Sequence, residues 1–265
     1  MIEGIPNGRP ARHENRFERR ALLWLPFAFV GGRMLRAAPI HGGDGGGPIA
    51  SGAAAQAATA GALTPLTRDE LGEKWRALVK ELAPLPKEAD ESYAAQLAGL
   101  IARTPIDALP KLDPLKARRA KGVMGGPSWF VMPCVTVEFR MDPGAVLRPH
   151  NHPPQVVVTL CAEGEASYRH FEIEGDAPPC TRIDGSTFEI RETRAGILKP
   201  GRTTALTRAR DGIHGFVAGP EGARLVDFTV GLTADMETFS YVEVSDEPSD
   251  PARRIFEASW LGKER

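Results

Sequence analysis

Pro143-Gly144-Ala145-Val146-Leu147-Arg148-Pro149-His150-Asn151-His152-Pro153-Pro154 runs on into Gln155-Val156-Val157-Val158-Thr159-Leu160 and reaches Gly164. In an extended strand, side chains two residues apart point to one face. His150 and His152 therefore present two imidazoles side by side. Two prolines stiffen the exit from the pair. The β-branched run that follows reads as a buried strand, with Glu163-Gly164-Glu165 as its turn. Two neutral imidazoles on one strand make half of a transition-metal site.

The same period of two extends on both sides. Val135, Val137, Phe139 and Met141 alternate with Thr136, Glu138 and Arg140. Further strands are expected at Val156–Cys161, Ser167–Ile173, Phe188–Glu192, Gly196–Leu198, Thr203–Leu206, Ile213–Ala218, Ala223–Val230 and Phe239–Val244. Short strands at close spacing, parted by Gly, Pro and Asp, predict a β-sandwich or small barrel. No self-similar repeat is visible, so one barrel is expected.

Upstream, Thr67-Arg68-Asp69-Glu70 is a capping box that opens a helix. Leu71, Trp75, Leu78, Val79 and Leu82 then fall on one face. A second helix is expected around Glu88–Arg103, striped by Tyr93, Leu97, Leu100 and Ile101. Both stripes read as packing surfaces against a sheet. Residues 37–66 are mostly Gly and Ala and read as a linker. Residues 1–36 carry Arg19-Arg20 before a short apolar run and resemble a twin-arginine export signal, although Glu18 departs from the pattern. A disordered N-terminus is the alternative, so periplasmic and cytoplasmic locations both stay open. The expected division is thus 1–36, 37–66, a helical extension at 67–126, a barrel at 127–248 and a C-terminal tail at 249–265.

With 33 basic and 34 acidic residues in 265, the chain has no charge excess to draw nucleic acid. No apolar run spans a bilayer. The three cysteines, Cys134, Cys161 and Cys180, form no CxxC pair and no disulfide framework. A monomer is expected.

Six histidines remain to be sorted. His13 and His41 fall in the flexible N-terminal part. His170 reads as an ordinary strand histidine. His214 follows Arg210-Asp211-Gly212-Ile213 at the head of an apolar strand, where a barrel can aim a third imidazole inward.

The segment from Gly144 to Gly164 resembles the first motif of the cupin family: a glycine, five residues, His-x-His, and a glycine beyond the strand. Asp211-Gly212-Ile213-His214 resembles the second motif. The resemblance implies a single double-stranded β-helix, or jelly-roll, barrel with the N-terminal helices packed outside, and His150, His152 and His214 as metal ligands. Most metal-binding cupins also place a glutamate where this chain has Val156 and Val157. Three imidazoles without that carboxylate leave a divalent ion its full charge and open positions.

Within the cupins, His150-x-His152-Pro153 followed by Gly164 is similar to the thiol dioxygenase branch, the cysteamine dioxygenase and plant cysteine oxidase family. Phe139-Arg140-Met141-Asp142-Pro143-Gly144, Pro220-Glu221-Gly222-Ala223-Arg224-Leu225-Val226-Asp227 and Ser240-Tyr241-Val242-Glu243-Val244 resemble further segments of that family in order. The resemblance implies Fe(II) as cofactor, with a small thiol or N-terminal-Cys peptide and O2 as partners. Asp227 would hydrogen-bond a ligand histidine or an iron-bound water, and Tyr241 would point at the substrate. The Cys–Tyr crosslink of animal members has no counterpart at Val157 or Phe239. Arg140, Arg148 and Arg169 are each candidates to grip a substrate carboxylate. Val156, Val158 and Leu160 are expected to keep water from the site. A cupin dioxygenase for a diketone or flavonoid-like substrate, and a non-catalytic ligand-binding cupin, are the alternatives.

Overall fold

The computed structural model describes residues 64–82, 89–131, 134–152, 155–208, 210–231 and 240–262. The expected export signal, most of the linker, His13, His41 and Phe239 lie outside these residues.

Helix α1 (Arg68–Leu82) starts at the capping box: Glu70 N–H donates to Thr67 Oγ1 at 3.2 Å, and Thr67 N–H to Glu70 Oε2 at 2.8 Å. This satisfies two backbone donors that a helix start leaves open. Helix α2 (Asp90–Ala102) follows. Leu71, Trp75 and Val79 of the first, and Tyr93, Leu97 and Ile101 of the second, are buried in one cluster. The Trp75 indole N–H donates to the Tyr93 hydroxyl at 2.7 Å, so its polar edge stays satisfied inside the core.

Ten strands follow: β1 (Arg118–Ala120), β2 (Val123–Val131), β3 (Cys134–Met141), β4 (Val146–Asn151), β5 (Gln155–Glu174), β6 (Thr187–Leu198), β7 (Thr203–Leu206), β8 (Ile213–Gly231), β9 (Tyr241–Val244) and β10 (Ile255–Gly262). The spine is one long antiparallel ladder between β5 and β8, from Gln155↔Gly231 to Phe171↔Ile213. At one end β7 flanks β5, while β3, β2 and β1 extend from β8. At the other end the pairs β8–β4, β4–β9, β9–β10, β10–β6 and β6–β5 return to the spine and close a ring. The fold is mainly β, a single double-stranded β-helix barrel with the helices packed outside.

Two glycines let the spine bend between its ends. Gly164 has φ +66°, and a Cβ on it would stand 2.1 Å from the Gly222 carbonyl oxygen. Gly222 has φ +81°, and its Cβ would stand 2.5 Å from the Met141 carbonyl oxygen. Both the torsion and the close approach require glycine.

Four expectations are corrected here. Glu163-Gly164-Glu165 is not a turn. The strand runs on through it with shifts of register on either side, because Gly164 absorbs the kink as a bulge. The segment at 249–265 is not a free tail, since Ile255–Gly262 pairs with β6 and β9 and buries Phe256, Ala258 and Trp260. Sheet also begins earlier than residue 127, with β1 and the start of β2 inside the expected helical extension. Finally, Val156, Val158 and Leu160 face the helices rather than the barrel interior. Alternation then turns Val157, Thr159 and Cys161 inward.

Candidate metal centre

One layer of the closed end brings the histidines together. His150 of β4 lies opposite His214 of β8, and His214 lies opposite His170 of β5. On the other side His150 lies opposite Tyr241 of β9. Residues directly opposite in a ladder share a face, so the row Tyr241, His150, His214, His170 points into the barrel. His152 joins it just past the end of β4, where its N–H donates to the Gly212 carbonyl at 3.1 Å.

The three expected ligands converge. The His214 Nε2 stands 3.0 Å from the His150 Nε2 and 3.0 Å from the His152 Nε2. The other ring nitrogens fix which form each ring takes. His150 Nδ1 lies 2.8 Å from the Arg148 carbonyl oxygen, which only accepts, so Nδ1 carries the proton. His152 Nδ1 lies 3.0 Å from Gln155 Oε1 and donates likewise. Both Nε2 atoms therefore aim bare lone pairs at the third ring. A single proton on the His214 Nε2 can be given to only one of these two acceptors.

Protonation of the cluster is also disfavoured. Burial, then the charge of His152, lowers the His150 pKa to about 3 despite its bond to Arg148. Burial lowers His152 to about 4 against the opposing bond to Gln155. Burial and the neighbouring imidazoles hold His214 well below the usual histidine range. Three neutral rings that share one point suit a bound cation. Two nitrogens held about 2.1 Å from an ion at right angles would stand about 3.0 Å apart. The observed contacts have that spacing, so the residues fit a metal ion.

A carboxylate belongs to the same group. One oxygen of Asp227 and one nitrogen from each of His150, His152 and His214 all lie within 4.8 Å of one another, and the four can hold a metal. Val156 and Val157 offer no carboxylate, and the acid that stands beside the three histidines is Asp227 of β8. Asp227 is 2 % exposed. Burial pushes its pKa up to about 7, only partly offset by the hydrogen bond from Thr159 Oγ1 to Oδ1 at 2.6 Å.

Tyr241 is 3 % exposed, and its ring centroid lies 6.0 Å from that of His150. His170 is fully buried but is not one of the four residues grouped around the candidate metal position. Its Nε2 lies 3.2 Å from Thr204 Oγ1 and its Nδ1 3.5 Å from Asp211 Oδ2. Asp211 is itself buried. Burial opposes its charge, yet the contact with His170, the bond from Thr193 and the charge of Arg210 hold its carboxyl below the usual range.

The candidate arginines divide. Arg140 is paired with Glu138. Arg169 pairs with Glu192 and lies over the rings of Phe171 and Phe256. Arg148 contributes the carbonyl that orients His150. Sequence reasoning missed Thr159, Thr204 and the place of His170 beside His214. The period-two face shared by Ala166, Tyr168 and His170 carried that signal. Burial raises the Cys161 thiol to about 11 and the Cys134 thiol to about 12, which leaves both unreactive.

No family model matches the chain, and no curated protein matches it either. Solved structures with a related shape include KdgF from Halomonas sp., at 19% identity and a TM-score of 0.31, with 46% of this chain and 90% of that one covered. A conserved protein with a double-stranded β-helix domain from Klebsiella pneumoniae subsp. pneumoniae aligns at 18% identity and a TM-score of 0.32, over 51% of this chain and 92% of its own. A recombinant oxalate oxidase in complex with glycolate aligns at 14% identity and a TM-score of 0.33, over 46% and 59%. At these values the likenesses carry no argument about chemistry.

Proposed function

We propose that this barrel is a non-haem Fe(II) enzyme that adds both atoms of O2 to a thiol, RSH + O2 giving RSO2⁻ + H⁺. The observation that carries the reading is the convergence of His150, His152 and His214 through three neutral Nε2 atoms. Those rings would hold the iron. When bound, a ferrous ion supplies a Lewis acid for the thiolate and the electrons that activate O2. The chain supplies the rest. Arg148 and Gln155 preorganise two ligand rings, so no reorientation is needed when the ion enters. Val157 and Phe216, both buried, keep the interior dry. Tyr241, beside His150, lines the substrate side and donates from its hydroxyl. Asp227 is engaged by Thr159, which favours a role one hydrogen bond outside the ligand set. The thiol is cysteamine, cysteine or an N-terminal-Cys peptide.

The proximity of Asp227 favours a second reading. With its carboxylate on the ion, three histidines and an acid would suit a cupin dioxygenase for a diketone or flavonoid-like substrate. One experiment separates them. Iron-loaded protein is given each thiol under O2, and products are weighed by mass spectrometry. A gain of two oxygen atoms on one thiol supports the first reading. Bound iron with no thiol oxidised overturns it, and oxygen uptake with a diketone then selects the second.

A further inference from the structure

We propose that His170 and Asp211 are positioning residues of the metal centre: Asp211 fixes the His170 ring, and His170 holds the His214 ring in its ligating orientation. This rests on the reading that His150, His152 and His214 take a metal ion.

The three ligand rings are not secured alike. His150 and His152 each have an acceptor at Nδ1. His214 Nδ1 is buried and has no hydrogen-bond partner among the described residues. A ligating histidine is normally oriented through that second nitrogen. For His214 the restraint has to come from packing. His170 supplies it from directly across the spine, at 6.0 Å between centroids and 65° between planes. Phe216 adds a second edge-on contact at 4.8 Å and 69°.

His170 is in turn hydrogen-bonded at one end of its ring, Nε2 to Thr204, and at the other end has the Asp211 carboxylate 3.5 Å from Nδ1, a charge contact longer than a hydrogen bond. A carboxylate beside Nδ1 and a hydroxyl at Nε2 restrict the ring to one angle. Asp211 is well anchored for this task. It is fully buried and accepts from the Thr193 hydroxyl. Its Oδ2 stands 3.4 Å from an Arg194 nitrogen and 3.3 Å from an Arg210 nitrogen. Its backbone sits at φ +59°, a torsion that disfavours most side chains and that aspartate tolerates better than most. A residue held in that conformation and so surrounded has little freedom to turn away from His170.

The test is a cobalt(II) titration of the metal-stripped full-length chain, read as dissociation constant and as visible ligand-field bands. Melting of the metal-free forms is measured alongside. His170→Ala and Asp211→Asn are each expected to weaken cobalt binding by about 10- to 100-fold and to shift the bands. His170→Phe keeps a ring against His214 but loses both its anchors, and is expected to recover only part of the affinity, to about the level of Asp211→Asn. Asp211→Asn on the His170→Phe background is expected to add no further loss, because its effect passes through His170. Unchanged affinity and bands in the single variants overturn the proposal. So do additive losses in the double variant, and so does a lowered melting temperature with unshifted bands. The readout needs no thiol: normal cobalt binding without thiol turnover leaves this inference standing while the dioxygenase reading fails, and a wild-type chain that takes up no cobalt overturns both.

Discussion

Replacing Asp227 by Asn is expected to stabilise the metal-free protein while weakening its hold on a metal. Asp227 is buried at 2 % exposure, and burial raises its pKa from 3.8 to about 7. The folded state therefore binds its proton more tightly than the unfolded chain does. Such a group contributes no penalty below pH 3.8. From there to pH 7 the folded state loses ground as the unfolded carboxyl ionises and the buried one does not. The full difference corresponds to about 4 kcal/mol at pH 7 and above. Asparagine keeps the shape and can still accept from Thr159 Oγ1, but it has no charge to bury. Urea unfolding of chelated wild-type and Asp227→Asn protein at pH 4 and pH 8 checks this. The variant is expected to gain a few kcal/mol at pH 8 and almost nothing at pH 4. With metal bound the gain should shrink or reverse, because the cation favours the carboxylate. A variant that is less stable at pH 8 without metal, or a difference independent of pH, would refute the reasoning.

The imidazoles give the opposite sign. Their folded pKa values lie below the unfolded 6.5, so metal-free stability should fall as pH drops from 6.5 towards 4 and 3, by about 1.4 kcal/mol per pH unit for each ring; His150→Gln should flatten the slope in denaturation curves, and an equal slope would contradict the assignment. His214→Ala should abolish both bound iron and sulfinate formation, checked by elemental analysis and product mass; turnover retained at the wild-type rate would reject the triad. Gly164→Ala should destabilise by about 3 kcal/mol or more, through the left-handed torsion and the contact with the Gly222 carbonyl. A thermal midpoint within a degree or so of wild type would show that the spine does not need that glycine.

Much of this site was legible in the chain. The i, i+2 spacing of His150 and His152 set two rings on one side of a strand, and the turn before His214 marked the third. Asp227 stood out as an acid between Val226 and Phe228, though its nearness to the histidines is a matter of register between strands distant in sequence. That register also decides which valines face inward. Val156 to Leu160 is apolar at almost every position, so its pattern does not tell interior from exterior when both faces are covered. Thr159 was the polar exception, and it marks the inner face. The β10 strand was missed although Phe256, Ala258 and Trp260 alternate with Glu257 and Ser259. Pro251, Arg253 and Arg254 stand just before it, and only the ring closure shows where that strand is needed. His170 read as ordinary because nothing in its own neighbourhood announces that β8 sets His214 opposite it.

The most direct test is anomalous diffraction at the iron edge from crystals loaded with iron under anaerobic conditions. One peak per chain is expected between the Nε2 atoms of His150, His152 and His214. A peak elsewhere, or none at that position in iron-replete crystals, would contradict the account.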